Sequence, residues 1–367
     1  MSIYSAYRRI IGFVMAYIIL SLLALLGLGT AAFVNQPSFG KNPGGARLER
    51  VKQSPNYKNG HFENELPTSV MTGNKSSSQV MWEFITGKGK SANIKPENPV
   101  PSVKTDLKSL PKEKDYIVWF GHSSYLLHLS GKNILVDPTL ISGSPVSFVN
   151  RPYKGTDLYK PEDMPDIDFL IITHDHWDHL DYKTVKALKN RTRQIITPLG
   201  IGSHFEYWGF EEKMLAELDW EEAFAKDGFT FRCMPARHFS GRGLVRNKTL
   251  WGSFIVQTPD KKTLFLSGDG GYGPHFKRIG GQYPDMNLAI LENGQYNENW
   301  SQIHTMPQEL ALEMRELNAK SYITVHHSKY TLSKHSWDDP LRAEKEAALQ
   351  SGANLQVLTI GQPEEIR

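Results

Sequence analysis

The sequence predicts an α/β layered sandwich preceded by one transmembrane helix. Three observations carry that expectation. An uncharged apolar run stands near the start. From Asp115 onward, short apolar segments of strand length alternate with a few helical ones. Ligand-type side chains stand where several of those segments end.

The apolar run extends from Ile10 to Val34. At a rise of about 1.5 Å per residue, such a helix covers the roughly 30 Å hydrocarbon core of a bilayer. A cleaved signal peptide competes with this reading, and Gly29-Thr30-Ala31 is a weak cleavage site. The run exceeds the roughly 7–15 residues of a signal's apolar region, which favours an uncleaved anchor. Arg8 and Arg9 favour a cytoplasmic N-terminus, although Lys41, Arg47, Arg50 and Lys52 reduce the asymmetry. The expectation is a single-pass membrane protein with its catalytic domain on the non-cytoplasmic side.

A chain of 367 residues accommodates one large or two ordinary domains. Its net charge of +3 is small and no long basic run is present, so nucleic acid is not an expected partner. The one cysteine, Cys233, excludes an intramolecular disulfide and a thiolate cluster. Any metal site must therefore use His, Asp and Glu.

Residues 1–34 read as the anchor, 35–112 as a linker or wrapping segment, and 113–367 as the catalytic domain. The middle segment is rich in Pro, Gly and Asn, with loops at Gly40-Lys-Asn-Pro-Gly-Gly and an extended stretch through Pro96, Pro99 and Pro101. Met81-Trp82-Glu83-Phe84-Ile85 reads as a short helix packing on the domain, with a membrane-surface contact as the alternative. Strands are expected at Tyr116 to Phe120, Tyr125 to Leu129, Asn133 to Val136 and Asp168 to Thr173. Others follow at Gln194 to Thr197, Phe229 to Met234, Ser253 to Thr258, Thr263 to Leu266, Leu288 to Leu291 and Tyr322 to Val325. Helices are expected at Tyr182 to Lys189, Pro307 to Leu317 and Pro340 to Leu349. Strands with intervening helices in both halves fit a layered α/β sandwich.

The chemistry starts at His174-Asp175-His176-Trp177-Asp178-His179, directly after the strand ending at Thr173. His174 and His176 alternate and can point the same way, while Asp178 and His179 can face a second metal. Asp175 is not expected to be a ligand. So many ligand-type side chains in one short loop are hard to reconcile with a merely solvated turn. His238, Asp269 and His326 each follow an expected strand. Singly, each also reads as a buried histidine or a turn aspartate. Together with the cluster, a metal site is the more economical reading. Imidazole and carboxylate donors suit zinc first, and iron or manganese as well.

The pattern His-x-His-x-Asp-His, followed by His238, Asp269 and His326, resembles the metallo-β-lactamase superfamily. The resemblance implies a four-layer αββα sandwich holding two divalent ions. It implies a first site of His174, His176 and His238, a second of Asp178, His179 and His326, and Asp269 bridging them. Ile172-Thr-His-Asp-His-Trp-Asp-His-Leu-Asp, Glu217-Leu-Asp-Trp-Glu-Glu, Leu250-Trp-Gly-Ser and Gly268-Asp-Gly-Gly-Tyr look like segments of N-acylphosphatidylethanolamine-hydrolysing phospholipase D and its bacterial relatives. Gly121-His122-Ser-Ser and Ile134-Leu-Val-Asp137-Pro are similar to a wider group with ascorbate-lactonase-like proteins, and Pro37-Ser-Phe-Gly and Ser54-Pro-Asn-Tyr to RomA-like bacterial members. The bacterial likeness makes the inner membrane the expected location. The chain departs from the phospholipase at Ile303, at His326-His327-Ser-Lys-Tyr, and at Leu291-Glu292-Asn293-Gly294-Gln295-Tyr296.

These residues imply a membrane-anchored phosphodiesterase that attacks N-acylphosphatidylethanolamine-like phospholipids with a hydroxide bridging two metals. Asp178, as a ligand, could also orient that nucleophile. His304 could donate a hydrogen bond or protonate a leaving group, and helix capping competes equally with that role. His122 is read as support for the metal shell, Asp137 as a turn residue, and His327 and His335 as surface or pocket-rim residues. Substrate choice is expected to depend on Glu292 to His304 and on Lys329. A lactonase or other carbonyl-centred hydrolase acting on a soluble metabolite is the alternative enzyme. A non-catalytic metal-binding membrane protein is the alternative of another class.

Overall fold

A computed structural model describes residues 3–366 apart from 88, 92, 147 and 148. The apolar run lies in helix α1 (Ile3–Val34), whose stretch Ile10–Val34 is long and apolar enough to cross a membrane and is not buried against the rest of the chain.

Residues 35–112 carry α2 (Gly45–Gln53), a small hairpin of β1 (Tyr57–Lys58) and β2 (His61–Phe62), and α3 (Ser77–Thr86). A Ser76–Gln79 capping box starts α3 by satisfying free N–H groups of its first turn. The helix expected over Met81–Ile85 falls within α3. The side chains of Met81, Phe84 and Ile85 lie outside the described ones. This segment is bonded to the sandwich. Arg47 bridges Glu206 and Glu217, and Asn64 exchanges two hydrogen bonds with the backbone of His238.

The sandwich begins with β3 (Tyr116–Trp119), β4 (Tyr125–Leu129), β5 (Lys132–Val136), β6 (Ile167–Ile171), β7 (Thr192–Pro198) and β8 (Leu215–Leu218). The second sheet holds β9 (Ala223–Lys226), β10 (Phe229–Met234), β11 (Ser253–Gln257), β12 (Thr263–Leu266), β13 (Leu288–Glu292) and β14 (Tyr322–Val325). β15 (Pro363–Glu365) returns to the outer edge of β3, giving the first sheet the order β15-β3-β4-β5-β6-β7-β8. The second runs β14-β13-β12-β11-β10-β9. Each sheet mixes antiparallel pairs with parallel ones, the latter at β5–β8 and β12–β14.

Strand alternation separates the layers. In β4, Tyr125, Leu127 and Leu129 enter the core between the sheets, while Leu126 faces outward. There it joins Val185 and Leu188 of α4 (Tyr182–Leu188) and Phe205 of α5 (Gly202–Tyr207). In β13, Leu288 and Ile290 point inward, while Ala289 and Leu291 meet helices α6 (His275–Gln282), α7 (Pro307–Leu317) and α8 (Asp339–Ser351). Three hydrophobic clusters thus fill the three interfaces of an αββα sandwich, as expected. Truncating a central residue such as Leu127 to Ala costs about 2–5 kcal/mol.

The expected strands and helices are present, with ends shifted by a residue or two. Five further elements, β8, β9, β15, α5 and α6, have weak local signals. β15 is Pro-Glu-Glu and owes its strand to pairing with β3. α6 contains Gly280, where a Cβ would stand 2.0 Å from the Glu316 carbonyl of α7. Close helix packing therefore demands the residue that most weakens helix propensity.

Candidate metal centre

The ligand-type residues gather at one end of the sandwich, where β6, β10, β12, β13 and β14 all finish. His174, His176 and His238 bring one nitrogen each within 4.8 Å of one another. His122, Asp178, His179 and His326 form a second such group, and His174, His179 and Asp269 a third that joins the two. All seven residues singled out in the sequence therefore meet. Asp175 belongs to no such group. It is buried and accepts from Gly241 N at 2.7 Å, Thr249 Oγ1 at 2.9 Å and His204 Nε2 at 3.1 Å.

The hydrogen bonds behind these residues decide which atoms are free. Thr173 Oγ1 donates to Asp137 Oδ2 at 2.6 Å, so its lone pairs accept from His174 Nδ1 at 3.0 Å. His238 Nδ1 donates to the Ile303 carbonyl at 2.7 Å, and His179 Nδ1 to Asp137 Oδ2 at 2.8 Å. Each ring thereby directs its Nε2 at the centre. His174 Nε2 and His238 Nε2 lie 2.9 and 3.2 Å from His176 Nδ1.

The fit to a cation follows from what these atoms lack. His179 Nε2 and Asp269 Oδ1 are buried without a hydrogen bond. Yet Nε2 stands 3.1 Å from Asp269 Oδ2, and Oδ1 stands 2.9 Å from His326 Nδ1. The atoms are close but misaligned, aimed at shared points rather than at each other. Divalent ions at those points suit a donor set of imidazoles and carboxylates.

Electrostatics agree. Burial, then the neighbouring histidines, hold His174 well below its ordinary value, and His238 is lowered likewise. Burial raises Asp178 and Asp269, but imidazoles outweigh it: the His122 hydrogen bond and His179 for Asp178, His179 and His326 for Asp269. Both stay below the ordinary carboxylate range. Burial lowers His179, but Asp269 and Asp137 outweigh it and hold it well above its ordinary value, so a cation would have to displace its proton. His174 and His238 as neutral rings, and Asp178 and Asp269 as carboxylates, are already in the forms that bind metal.

Several residues differ from their sequence readings. Asp137 does sit at a turn, with φ of 41°, but it is buried and orients both Thr173 and His179. His122 is buried, and its Nε2 bonds Asp178 Oδ2 at 2.9 Å. His122 and His326 both have left-handed backbones, at 54° and 72°, and are cross-bonded through His326 N and the His122 carbonyl. Such strain is held by surrounding structure. His327 is not on the surface or rim: it is buried beneath Trp119, within reach of Thr324 and Glu344. His335 is half-buried and accepts from Gln295 N. Lys329 is buried too, donating to the carbonyls of Phe120 and Thr139, and burial lowers it to about 8.

His304 does not cap α7, whose N-cap residue is Met306. Its Nδ1 instead makes a short hydrogen bond with Glu292 Oε1, while Glu292 Oε2 accepts from Gly270 N at 2.6 Å. Burial drives the pair apart, raising Glu292 well above the ordinary range and lowering His304 to about 3. Sequence reasoning noticed Glu292 only as a departure. A carboxylate ending a buried apolar strand was the available signal.

A cavity of about 230 Å³ opens onto the centre. His176, Asp178, His238, Asp269, His304 and His326 line it together with Val70, Met71, Phe239, Trp300, Ile303 and Leu332. Val70 and Met71 come from the segment before the sandwich.

Residues 132–327 match the family model described as Beta-lactamase superfamily domain. The chain is 34% identical over 320 residues to Uncharacterized protein Rv0906 of Mycobacterium tuberculosis, covering 85% of this chain and 84% of that one. It is 52% identical over 102 residues to Outer membrane protein RomA of Klebsiella pneumoniae, covering 28% and 76%. It is 32% identical over 235 residues to N-acyl-phosphatidylethanolamine-hydrolyzing phospholipase D 1 of Caenorhabditis elegans, covering 59% and 65%. Among solved structures, a metallo hydrolase from Ignicoccus hospitalis shares the fold with a TM-score of 0.52 and 18% identity, covering 69% of this chain and 99% of that one.

Proposed function

The chain belongs to the beta-lactamase superfamily and is a metal-dependent hydrolase, and from that premise we propose that it is a membrane-anchored phosphodiesterase acting on N-acylphosphatidylethanolamine-like phospholipids. The observation that carries this is the mixed lining of the cavity. Ligand-type and acid–base side chains suited to a phosphodiester stand there together with Gln295 and six apolar side chains suited to acyl chains. The similarity to the nematode N-acyl-phosphatidylethanolamine-hydrolyzing phospholipase D and the apolar helix α1 point the same way.

In this proposal His174, His176 and His238 would hold one divalent ion and Asp178, His179 and His326 a second, with Asp269 within reach of both groups and zinc the first choice. Bound there, such ions supply Lewis acidity and a water acidified towards neutrality. The chain's own groups do the rest. Asp178 is fixed by His122, so its second oxygen can orient the attacking water. Glu292 and His304 form a buried pair with no net charge, and burial favours the neutral forms. Protonated Glu292 then donates to Nδ1, which leaves the ring's own proton on Nε2, facing the cavity. Water loses one proton to solvent and adds to phosphorus, the bond to the N-acylethanolamine oxygen breaks, and that oxygen takes the Nε2 proton while the Glu292 proton passes to Nδ1; the ring stays neutral and Glu292 is left as a carboxylate that solvent reprotonates. The apolar wall keeps bulk water from the leaving group. We assign residues 1–34 to the anchor, 35–112 to a wrapping segment and 113–367 to the hydrolase domain. The domain is assigned to the non-cytoplasmic side of a bacterial inner membrane.

The test uses the purified full chain. Two bound metals, with chelator-sensitive release of N-acylethanolamine from N-acylphosphatidylethanolamine vesicles, are expected. Turnover of lactones alone would sink the lipid assignment.

A further inference from the structure

One exposed loop joins features that the catalytic proposal does not use. After Phe239 the chain makes a finger closed at its base by Asn247 N to the Ser240 carbonyl at 3.0 Å, and by Ser240 N to Asn247 Oδ1 at 3.2 Å. Its tip is apolar and bare: Leu244 is 81% exposed and Val245 52%. The two are adjacent, so they form one small apolar patch rather than a single exposed side chain. Residues 237–248 carry Arg237, Arg242, Arg246 and Lys248 and no acid.

The root of the finger is tied to two places. Arg242 is buried and donates to the carbonyls of Asp175 and Leu180 at 2.8 and 2.7 Å, within the loop that carries His176 to His179. The same guanidinium donates to the Ser38 carbonyl at 2.9 and 3.1 Å. Ser38 lies four residues beyond the end of α1, so the finger's root is within about 14 Å of that end along an extended chain. Aromatic contacts close the gap further. Phe33 in the last turn of α1 meets Phe39 at 5.2 Å, and Phe39 meets Trp177 at 4.9 Å. A Cβ on Gly243 would touch Phe39 at 3.7 Å, so the finger runs beside this ring.

We propose that the finger tip, Leu244 and Val245, inserts into the headgroup layer of the bilayer that α1 spans, with Arg246 meeting anionic phospholipid headgroups. This rests on the reading of α1 as an uncleaved anchor. A polar headgroup layer is about 5–8 Å deep on each face, and the contacts through Ser38 and Phe39 keep the finger's root beside the end of α1. An apolar tip beside an exposed cation, here Arg246, is the pattern of an interfacial element attracted to anionic lipid. The finger also ends at the active site: Phe239 lines the cavity and packs on His176 at 4.4 Å, and Arg246 lies over the Phe239 ring at 5.1 Å. Seating the tip in the headgroups would set the cavity mouth at the lipid surface.

The test exploits Cys233, which is buried and therefore spared by thiol dyes. Full-length Leu244→Cys and Leu349→Cys are labelled with a polarity-sensitive fluorophore and reconstituted into vesicles of phosphatidylcholine, with or without phosphatidylglycerol. Leu349, 85% exposed on α8, is the aqueous reference. The Leu244 probe is expected to shift to the blue and to be quenched by lipid-borne quenchers, more strongly with phosphatidylglycerol. The Leu349 probe is expected to do neither. A chain that floats with vesicles while its Leu244 probe behaves like the Leu349 probe overturns the inserted finger. A chain that does not float with vesicles overturns the anchor reading instead, and the finger with it. Equal insertion in both vesicle types overturns the role given to Arg246.

Discussion

The two sheets furnish the site in different ways. The first sheet delivers His174 to His179 from one loop after β6, braced by Asp137. The second delivers His238 after β10, Asp269 after β12, Glu292 at the end of β13 and His326 after β14. The electrostatics differ as well. Asp175 and Asp178 on the first wall lie below the ordinary carboxylate range, because nearby imidazoles outweigh the burial that raises them. On the second wall, burial keeps Glu292 well above its ordinary value and raises Glu344 to about 7. Asp269 is the exception on the second wall, since His179 and His326 hold it below the ordinary range against burial. In the proposed function both walls bind metal, and the second adds the Glu292–His304 pair that manages the leaving group.

The contrast breaks most severely at Asp269, which reaches both groups. Asp269→Asn is expected to bring metal content and turnover down together to background, measured by elemental analysis and product release. Retention of two metals with full activity would remove the bridging role. The second wall is tested at His304. His304→Ala should lower kcat by about 10²–10⁴-fold while metal content and KM stay near wild type. A loss of metal would show that His304 serves the metal centre rather than the leaving group. On the first wall, Asp137→Asn should weaken metal affinity by roughly 10–100-fold in a chelator titration, because His179 loses its orienting acceptor.

The smallest effect concerns Glu344. Its folded-state value of about 7 lies above the ordinary 4.5, since burial disfavours its ionised form. The folded chain then holds that proton more tightly than the unfolded one does. Its contribution is full below pH 4.5 and is lost as pH rises through about 7, a change of up to about 3 kcal/mol. Glu344→Gln should flatten this slope, so that its melting temperature gains on wild type from acid to neutral pH. Parallel melting curves would mean that Glu344 ionises at little cost.

Much of the first wall was legible because its donors are adjacent and follow a buried strand. His238, Asp269 and His326 were legible as strand ends, since Phe229–Met234, Thr263–Leu266 and Tyr322–Val325 carry clear apolar runs. Glu292 and Asp137 were not. Each acts through a histidine distant in sequence, and nothing local separates an orienting carboxylate from a turn or strand-end residue. His327 misled for the opposite reason: a polar residue near a site suggests exposure, whereas here hydroxyls satisfy it in the interior. The cavity wall made by Val70 and Met71 depends on how residues 35–112 drape over the sandwich, and their irregular sequence carries no periodicity to reveal it.

Arg242 has a practical consequence for anyone trimming the protein. Removing α1 at residue 35 keeps Ser38, but starting the chain at residue 45 deletes the carbonyl that accepts Nε and Nη2 of a buried guanidinium. Stranded N–H groups cost about 1–3 kcal/mol each. The same guanidinium holds the carbonyls of Asp175 and Leu180, which bracket His176 to His179. The shorter product is expected to fold with a loosened loop and poor metal retention, and an inactive soluble fragment of that kind would report on the cut rather than on the enzyme.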